Sequence, residues 1–332
     1  MPVISVSDLS KHYQIFSRRE GVLGGVKDLF HRDYRTLKAV DQISFTLDQG
    51  DILGYIGPNG AGKSTSIKML TGILKPTSGT MEVLGYDPYV DRKTYTRHIG
   101  VVFGQRTQLW WDIAAIESFK LLAKVYQVSK QDYKEKLETL VEILSLADLL
   151  HFPARKLSLG QRIRCDLAAS LLHSPQILFL DEPTIGLDAI AKHSMRAFLR
   201  KINRELHTTI ILTTHDLTEI EELCKRVMIV DKGHIIYDGS LDDIKSIPGI
   251  GRRIYIDFAD TAPLEALNHE FTGRVQFHQE GKRRLVASYD PKQFATVDLI
   301  QGVIGNHKVT DLTVTEPSIE EVVIKVYNGG AQ

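Results

Sequence analysis

The sequence predicts an α/β protein with a mostly parallel sheet, followed by a smaller α+β domain. Three observations lead to this fold class. A glycine-rich loop lies between an apolar stretch of strand length and a stretch with helical spacing. Strands and helices alternate from Val3 to Asp243, which is typical of a parallel sheet. Beyond Gly251 the order becomes β-α-β-β-α-β, which predicts a ferredoxin-like arrangement.

The glycine-rich loop carries the clearest chemistry. It follows the apolar run Ile52–Ile56 and precedes Ile67 and Leu70, which share one face of a predicted helix. Its spacing is Gly-x-x-x-x-Gly-Lys-Ser in a strand-loop-helix setting, so a chance glycine-rich turn with an exposed lysine is the weaker interpretation. The predicted nucleotide-binding residues of the loop are Gly57, Pro58, Asn59, Gly60, Ala61, Gly62, Lys63, Ser64 and Thr65.

Phosphate chemistry explains these residue types. Glycines let backbone N–H groups close around phosphate oxygens, and the N-terminus of the following helix adds partial positive charge. Lys63 is expected to reach the β- and γ-phosphates of ATP, and Ser64 is expected to ligate Mg²⁺.

Composition argues against several classes of protein. The 332 residues suffice for about two domains. Lys+Arg and Asp+Glu both number 41, so no net charge draws the whole chain to nucleic acid or anionic lipid. Cys165 and Cys224 are expected to be buried small side chains in a reducing compartment. The sequence shows no signal-peptide pattern and no apolar run of membrane-spanning length, so we expect another chain to supply any membrane part.

The segment Phe16–Lys38 is unusual. It lies between the predicted strands Val3–Val6 and Ile43–Leu47, and it mixes cations with apolar residues at helical spacing. One interpretation is a solvated surface helix or loop. The other is a basic amphipathic element that lies against a membrane or a partner helix.

The remaining elements of the first domain alternate. The predicted strands are Thr80–Leu84, Ile99–Phe103, Ile177–Leu180, Thr209–Leu212 and Val227–Val230. The predicted helical regions are Ile116–Leu150, Leu157–Leu172, Ala189–Leu206 and Leu217–Cys224. The run at 177–180 is apolar throughout, as in a parallel strand buried on both faces. The region at 116–150 is a helical insertion between two parts of the sheet.

A turn-rich linker, Ser246–Gly251, is predicted to separate domains at 1–243 and 252–332. In the second domain we predict strands at Arg253–Phe258, Arg274–Gln279, Arg284–Tyr289 and Lys308–Thr315, and helices at Pro263–His269, Pro291–Val303 and from Ser318. This domain has no phosphate loop and no ligand-spaced Cys/His set, and we expect it to serve regulation or dimerisation.

Asp181 and Glu182 end the apolar strand. A carboxylate at the carboxyl end of a parallel strand faces the crevice where open α/β sheets bind ligands. Asp181 is expected to hold Mg²⁺ directly or through water, and Glu182 to orient or deprotonate the attacking water. The alternative, a polar strand end on the surface, is disfavoured by the phosphate loop.

The stretch Leu157-Ser158-Leu159-Gly160-Gln161 precedes another predicted helix. Ser158 and Gln161 fit a capping box, and a capped helix N-terminus with a glycine is also an anion site. Lying between the phosphate loop and Asp181-Glu182, the stretch resembles the signature motif of the ATP-binding cassette (ABC) family. That family usually has glycine where this chain has Leu159.

The resemblance covers roughly Val3 to Asp243 and implies roles for further residues. Gln105 resembles the Q-loop glutamine that contacts Mg²⁺ or the attacking water. His215 resembles the switch histidine at the γ-phosphate, and Asp188 belongs to a stretch resembling the D-loop, which crosses to the partner subunit. Tyr13 resembles the aromatic residue that stacks on adenine. The family fold joins the parallel sheet to an antiparallel β subdomain and a helical subdomain, here at about 113–173.

The resemblance also implies partners. Two cassettes of this family dimerise head to tail, so Ser158, Gly160 and Gln161 of one chain complete the ATP site of the other. The chain has one cassette, which implies a second copy or a close paralogue. A degenerate, inactive cassette is the less favoured alternative, because Lys63 and His215 are both present with the two strand-end carboxylates.

Adjacent tryptophans, Trp110 and Trp111, follow the Q-loop, in the region where transporters of this family receive the permease. Both could be core residues, but consecutive residues do not share one face of an element, so we expect at least one to contact a permease. The chain most resembles cassette subunits of bacterial exporters with a separate permease, peripheral to the cytoplasmic face of the membrane. The competing hypothesis is a soluble ABC ATPase acting on a nucleic-acid or ribosomal partner; we expect no nucleic acid.

Overall fold

The computed structural model describes residues 2–16, 34–104, 106–245, 252–290, 293–315 and 319–327. The chain forms two compact units, Met1–Asp238 and Gly239–Gln332. Most of the basic segment and the predicted Q-loop glutamine, Gln105, lie outside the described residues. Among the helices that are described, none has the length and apolarity needed to cross a membrane.

The first unit contains two sheets. Its strands are β1 (Pro2–Phe16), β2 (Tyr34–Asp48), β3 (Ile52–Ile56), β4 (Ser78–Val83), β5 (Ile99–Phe103), β6 (Ile177–Asp181), β7 (Thr209–Thr213), β8 (Arg226–Asp231) and β9 (His234–Ser240). The larger sheet has the order β5-β6-β7-β3-β8-β9, and its strands from β5 to β8 are parallel. The smaller sheet, β2-β1-β4, is antiparallel. The predicted fold class is confirmed.

The helices of the first unit connect these strands. They are α1 (Lys63–Leu70), α2 (Arg92–Tyr95), α3 (Ala115–Val125), α4 (Lys130–Ile143), α5 (Leu159–Leu171), α6 (Ala189–Leu206) and α7 (Leu217–Leu223), with 3₁₀ turns at Ala147–Leu149 and Ala154–Lys156. The region predicted as helical at 116–150 is interrupted after Val125. Gln127 has a positive φ of 59°, and Ser129 caps the next helix by accepting a hydrogen bond from the Asp132 amide.

The hairpin of β1 and β2 is much longer than predicted. Phe16 pairs with Tyr34 and Tyr13 with Leu37, so residues 34–38 are strand rather than the helix or loop expected there. Cross-strand contacts hold this register, including a hydrogen bond from the Gln14 side-chain amide to Thr36 Oγ1 of 3.2 Å.

A shared core holds the two sheets together. Phe45 of β2, Tyr55 of β3, Ile67 of α1 and Phe179 of β6 are buried in one apolar cluster. Burial of such side chains stabilises a fold by about 1.5–3 kcal/mol each. The loop between β3 and α1 is therefore anchored at both ends by buried residues, which fixes the place of the phosphate loop.

The second unit contains β10 (Arg252–Phe258), β11 (Val275–Gln279), β12 (Arg284–Tyr289) and β13 (Val309–Thr315), with α8 (Leu241–Lys245), α9 (Leu264–Glu270), α10 (Thr296–Asn306) and α11 (Ile319–Tyr327). Its antiparallel sheet has the order β11-β12-β10-β13. The predicted β-α-β-β-α-β order is confirmed. Helices α9 and α10 bury Leu267 and Val303 against Ile256 of the sheet.

Candidate functional site

The phosphate loop has a backbone that only glycine permits at two points. Gly62 has a φ of +107°, and a Cβ there would lie 2.4 Å from the carbonyl oxygen of Ala39. A Cβ on Gly57 would lie 2.4 Å from the carbonyl oxygen of Val230. Both contacts are with backbone, which cannot move aside. The two glycines of the motif are therefore set by close backbone approach as well as by any need to bind phosphate.

Lys63, the first residue of α1, is nearly buried, with 6% of its surface exposed. Its Nζ atom donates to the carbonyl oxygens of Gly57 at 2.6 Å and Pro58 at 3.2 Å. Burial lowers the pKa of the amine, and the Glu182 and Asp181 carboxylates act in the opposite direction. The amine therefore lies over the loop and within the field of the two strand-end carboxylates.

Asp181 lies where β6 ends, beside the ends of its two parallel neighbours. It pairs with Phe103 of β5 and Thr213 of β7 in the sheet register. Its Oδ1 atom accepts hydrogen bonds from the hydroxyl of Thr213 at 2.6 Å and from the hydroxyl of Ser64 at 3.3 Å. The structure thus brings the predicted Mg²⁺ residues Ser64 and Asp181 together, although they are far apart in sequence.

Glu182 and His215 also meet. Nε2 of His215 lies 2.5 Å from Oε1 of Glu182. Glu182 has a φ of +55°, a left-handed conformation that costs a residue with a side chain about 1–3 kcal/mol. Its amide donates to the carbonyl oxygen of Thr213 at 3.0 Å and to the Thr213 hydroxyl at 3.2 Å, and these contacts hold the backbone in place.

The donor set fits Mg²⁺. The ion prefers oxygen ligands and is commonly held by one or two protein groups together with substrate phosphates. Ser64 and Asp181 supply a hydroxyl and a carboxylate oxygen beside the phosphate loop. Across the described residues there is no cluster of three or more His, Cys, Asp or Glu side chains that could hold a metal unaided. A metal at this site would therefore need phosphate oxygens to complete its coordination.

The signature stretch is a capped helix start. The Ser158 hydroxyl accepts from the Gln161 amide at 3.3 Å, and the Gln161 side chain accepts from the Ser158 amide at 2.9 Å, so the predicted capping box is confirmed. A Cβ on Gly186 would lie 2.6 Å from Cδ2 of Leu159. Leu159, which stands where the family usually has glycine, therefore lies against Gly186, in the stretch that resembles the D-loop. Hydrogen bonding in the described residues does not join Ser158, Gly160 or Gln161 to the phosphate loop of the same chain.

Two other predicted residues lie outside this cluster. Tyr13 is a strand residue with 37% of its surface exposed, and Lys11 Nζ lies 5.3 Å from the centroid of its ring. Asp188 caps α6 by accepting from the Ala191 amide at 2.8 Å. Both side chains are accessible, and neither contacts the phosphate loop through a hydrogen bond within the described chain.

Trp110 and Trp111 are exposed, at 45% and 51%, so the alternative that both are core residues is wrong. The guanidinium carbon of Arg162, on α5, lies 5.5 Å from the Trp111 ring centroid. Asp166, one turn further along α5, accepts from the Thr107 hydroxyl and the Gln108 amide, each at 2.9 Å. The segment 107–111 is therefore held against α5, the helix that begins at the signature stretch, by hydrogen bonds and a cation–π contact.

Sequence reasoning missed Thr213 and Asp166. Thr213 is a polar residue just beyond a predicted strand. Its contact with Asp181 depends on the register between two parallel strands, which the sequence does not display. Asp166 is buried, and burial raises its pKa to about 6. A polar residue within an apolar helical stretch was the available signal for it.

Comparison with known proteins identifies the family. A model described as ABC transporter matches residues 40–185. The bacitracin transport ATP-binding protein BcrA of Bacillus licheniformis is 31% identical over 90% of this chain and 95% of its own. The ABC transporter ATP-binding protein NatA of Bacillus subtilis is 31% identical over 65% of this chain and 87% of its own. The chain belongs to the ABC transporter family.

Solved structures agree with this assignment. A structure titled as the ATP-binding subunit of an ABC transporter is 27% identical, with a TM-score of 0.61 over 73% of this chain and 92% of that one. A dimeric ATP-binding cassette bound to ADP and Pi, 23% identical with a TM-score of 0.59, shares the fold. The chain is thus an ATP-binding, ATP-hydrolysing subunit of the ABC transporter family. Subunits of this family act with membrane permeases and dimerise, and the comparisons do not favour a nucleic-acid or ribosomal role.

Proposed function

We propose that this chain powers a separately encoded permease by binding ATP between two cassettes and hydrolysing it. The observation that carries the proposal is the meeting of Lys63, Ser64, Asp181, Glu182 and His215 at the carboxyl edge of the parallel sheet. Such an edge is where open α/β sheets bind ligands. Ser64 and Asp181 would hold Mg²⁺, which neutralises developing phosphate charge when bound.

In this proposal each protein group has a distinct task. The loop amides and Lys63 bind the phosphates, and Glu182 orients or deprotonates the attacking water. His215 contacts the γ-phosphate and restrains Glu182, consistent with the 2.5 Å contact between them. Gln105 is assigned to the water or the metal by resemblance alone. Tyr13 supplies a surface for adenine.

The second half of the site would come from another cassette. Ser158, Gly160, Gln161 and Asp188 are accessible or half-buried and make their polar contacts within their own helix starts. We propose that they close over ATP bound to the partner. Association of the two cassettes then depends on ATP, because the nucleotide bridges both surfaces.

The substitution Glu182→Gln tests this function. We expect ATP binding to persist and hydrolysis to fall by about 10²–10⁴-fold, because a general base is lost. ATP should then trap a dimer, measured by size-exclusion chromatography with light scattering. Glu138→Gln, at an exposed helical glutamate, is the matched control and should hydrolyse ATP normally. Undiminished hydrolysis in Glu182→Gln would contradict the assignment.

Coupling to the permease is assigned to the surface formed by Trp110 and Trp111. This surface is exposed, and it is fastened to α5 through Asp166 and Arg162. Trp110→Ala and Trp111→Ala should reduce co-purification with the permease and leave the basal ATPase rate of the isolated chain unchanged. Tyr89→Ala is the control, because Tyr89 is also an exposed aromatic residue with a cation over its ring. Equal co-purification of all three variants would contradict the assignment.

Export is the proposed direction of transport. The relatives include a bacitracin transport protein and a daunorubicin resistance protein that is 34% identical over 70% of this chain. A methionine import protein is 31% identical over 85% of it, so the direction is tested on vesicles carrying the chain with the membrane protein encoded beside it. ATP supplied on the cassette side should move substrate away from that side. Movement toward the cassette side would contradict export.

A further inference from the structure

Strand β2 departs from regular pairing close to the phosphate loop. Lys38 pairs with His12, and Val40 pairs with Lys11, the residue just before His12. Ala39 is therefore one residue more than β1 has at that point, which makes it a β-bulge. A bulge bends its strand and turns a peptide group away from the ladder, and bulges are common beside functional sites.

The bulged part of β2 forms one wall of the phosphate loop. A Cβ on Gly62 would lie 2.4 Å from the carbonyl oxygen of Ala39, so the bulge and the loop are in close backbone contact. The Asp41 amide donates to the carbonyl oxygen of Gly233 at 2.9 Å, and the Gly233 amide donates to the carbonyl oxygen of Ala61 at 3.0 Å. The bulge and the turn between β8 and β9 therefore support the loop together.

The carboxylate of Asp41 joins three strands at this bulge. It is 8% exposed. Its Oδ1 atom lies 3.3 Å from Nε2 of His12 on β1, and its Oδ2 atom accepts from Nζ of Lys38 on β2 at 2.9 Å. Nε2 of His234, the first residue of β9, lies 3.7 Å from Oδ2. One buried side chain thus contacts every strand that meets at the bulge.

The contact between Asp41 and Lys38 accompanies the bulge. Residues three apart in a regular strand face opposite sides of the sheet and lie about 10 Å apart. The hydrogen bond between these two side chains therefore depends on the irregular course of β2, and the bond and the bulge stabilise each other. An ion pair with a side chain as exposed as Lys38 adds little to the stability of the whole fold, so its effect is local.

We propose that Asp41 is a positioning residue for ATP binding, which holds the bulge at Ala39 against the phosphate loop through Lys38 and His12. The proposal rests on the ATP binding proposed for that loop. Asp41 acts on the backbone around the loop and not on the nucleotide itself. Hydrogen bonds weaken steeply as their angles depart from the ideal, so a small displacement of the loop amides lowers the affinity for ATP and ADP alike.

The test compares Asp41→Ala with the wild type in the full chain with Mg²⁺. Calorimetric titration with ADP gives the Kd without hydrolysis, and steady-state hydrolysis of ATP gives KM and kcat. Asp41→Ala should raise the Kd for ADP and the KM for ATP by about 10-fold. It should leave kcat at saturating ATP within about threefold of the wild type, because the proposed catalytic carboxyl groups lie at the end of β6. Adding Lys38→Ala to Asp41→Ala should raise the Kd no further, because the two side chains act as one unit.

Two controls accompany these variants. Asp238→Ala removes a carboxylate that pairs with Arg226 at 2.8 Å. Arg226 begins β8 and pairs with Leu53 near the start of β3, whereas the phosphate loop follows the end of β3, so this control should leave the Kd unchanged. Lys63→Ala is measured in parallel, and wild-type ADP binding in that variant would refute the proposed phosphate site whatever Asp41 does.

Three results would overturn the positioning role of Asp41 while the phosphate site stands. The first is a wild-type Kd in folded Asp41→Ala. The second is an equal rise in Kd in Asp41→Ala and Asp238→Ala, which would assign Asp41 to stability alone. The third is additive losses of affinity in the double variant with Lys38→Ala. If Asp41→Ala does not fold, the comparison is made with Asp41→Asn, which keeps one acceptor oxygen, and an unchanged Kd there overturns the role as well.

Discussion

The hydroxyl of Thr213 lies 2.6 Å from Oδ1 of Asp181, where β6 and β7 end side by side. The same hydroxyl accepts from the Glu182 amide at 3.2 Å. One small side chain therefore orients the carboxylate assigned to Mg²⁺ and helps hold the left-handed backbone of the residue assigned to water activation. A sheet residue with no reactive chemistry of its own becomes the link between the two.

Replacing Thr213 tests whether its hydroxyl supports hydrolysis. Thr213→Val keeps the shape and removes the hydroxyl, so we expect kcat to fall by about 10-fold or more, since a hydrogen bond to a charged group contributes about 1.5–3 kcal/mol. Thr213→Ser restores the hydroxyl and should recover most of the rate. Steady-state ATP hydrolysis by the three proteins is the measurement. Equal rates in the valine and serine variants would remove Thr213 from the site.

Gly104 lies beside Glu182, so a substitution there tests whether hydrolysis depends on the position of the Glu182 backbone. A Cβ at Gly104 would lie 2.1 Å from the carbonyl oxygen of Glu182, and the Gly104 amide donates to the Asp181 carbonyl oxygen at 2.8 Å. Gly104→Ala should displace the Glu182 backbone and lower kcat by about 10-fold or more.

The matched control for Gly104 is Gly100→Ala on β5, the strand that Gly104 directly follows. A Cβ there would lie 2.7 Å from the carbonyl oxygen of Ser170, away from the proposed catalytic residues. Both variants should have lower melting temperatures, but only Gly104→Ala should lose activity beyond what its folded fraction explains. Parallel losses of activity in the two variants would indicate a general effect on folding.

Asp166 predicts a pH dependence of stability. Burial raises its pKa to about 6 from 3.8, so its contribution to stability is fully present below about pH 4 and is lost as pH rises through 6. Asp166→Asn does not titrate, and its side-chain oxygen can still accept from Thr107 and Gln108. Relative to the wild type, the variant should therefore gain stability between pH 4 and pH 8, by on the order of 3 kcal/mol.

Urea denaturation of both proteins across that pH range measures the Asp166 effect. A stability difference between wild type and Asp166→Asn that is the same at pH 5 and pH 8 would contradict the raised pKa. A difference that shrinks as the pH rises would have the wrong sign for a buried carboxyl.

The cysteines should be inert in the folded chain. Cys165 and Cys224 are 0% and 4% exposed, and burial raises the pKa of Cys165 to about 12. Because the thiolate is the reactive form, neither thiol should react with a maleimide at pH 7 within minutes, while both should react in denaturant. Mass spectrometry of the labelled protein counts the modified thiols. Rapid labelling under native conditions would show that one of them is accessible.

Much of this site can be predicted because its chemistry is local. The phosphate loop, the strand that ends at Asp181 and the capping box at Ser158 each lie within a few consecutive residues, and helix α6 spans the predicted Ala189–Leu206. Motifs of this kind can be recognised in one sequence because their residue types and spacing lie within a single short stretch.

The rest depends on contacts that a single sequence does not display. The register that pairs Asp181 with Thr213 is set by the whole sheet, and the raised pKa of Asp166 follows from its burial by segments that are distant in sequence. The segment at 34–38 was placed wrongly because its exposed mixture of apolar and basic residues fits a surface helix as well as a hairpin strand. Cross-strand pairing decided between them.

The long hairpin of β1 and β2 has an evolutionary consequence. Its register places Phe16 opposite Tyr34, with their rings 6.2 Å apart, so the two strands are already joined side by side before the connecting residues 17–33 begin. Closing a loop costs only about 0.6 kcal/mol more for each doubling of its length. Residues 17–33 are thus a place where this lineage can gain, lose or exchange sequence while the ATP-hydrolysing residues stay intact. A deletion variant that joins Phe16 to Tyr34 through a short turn should retain the cassette fold.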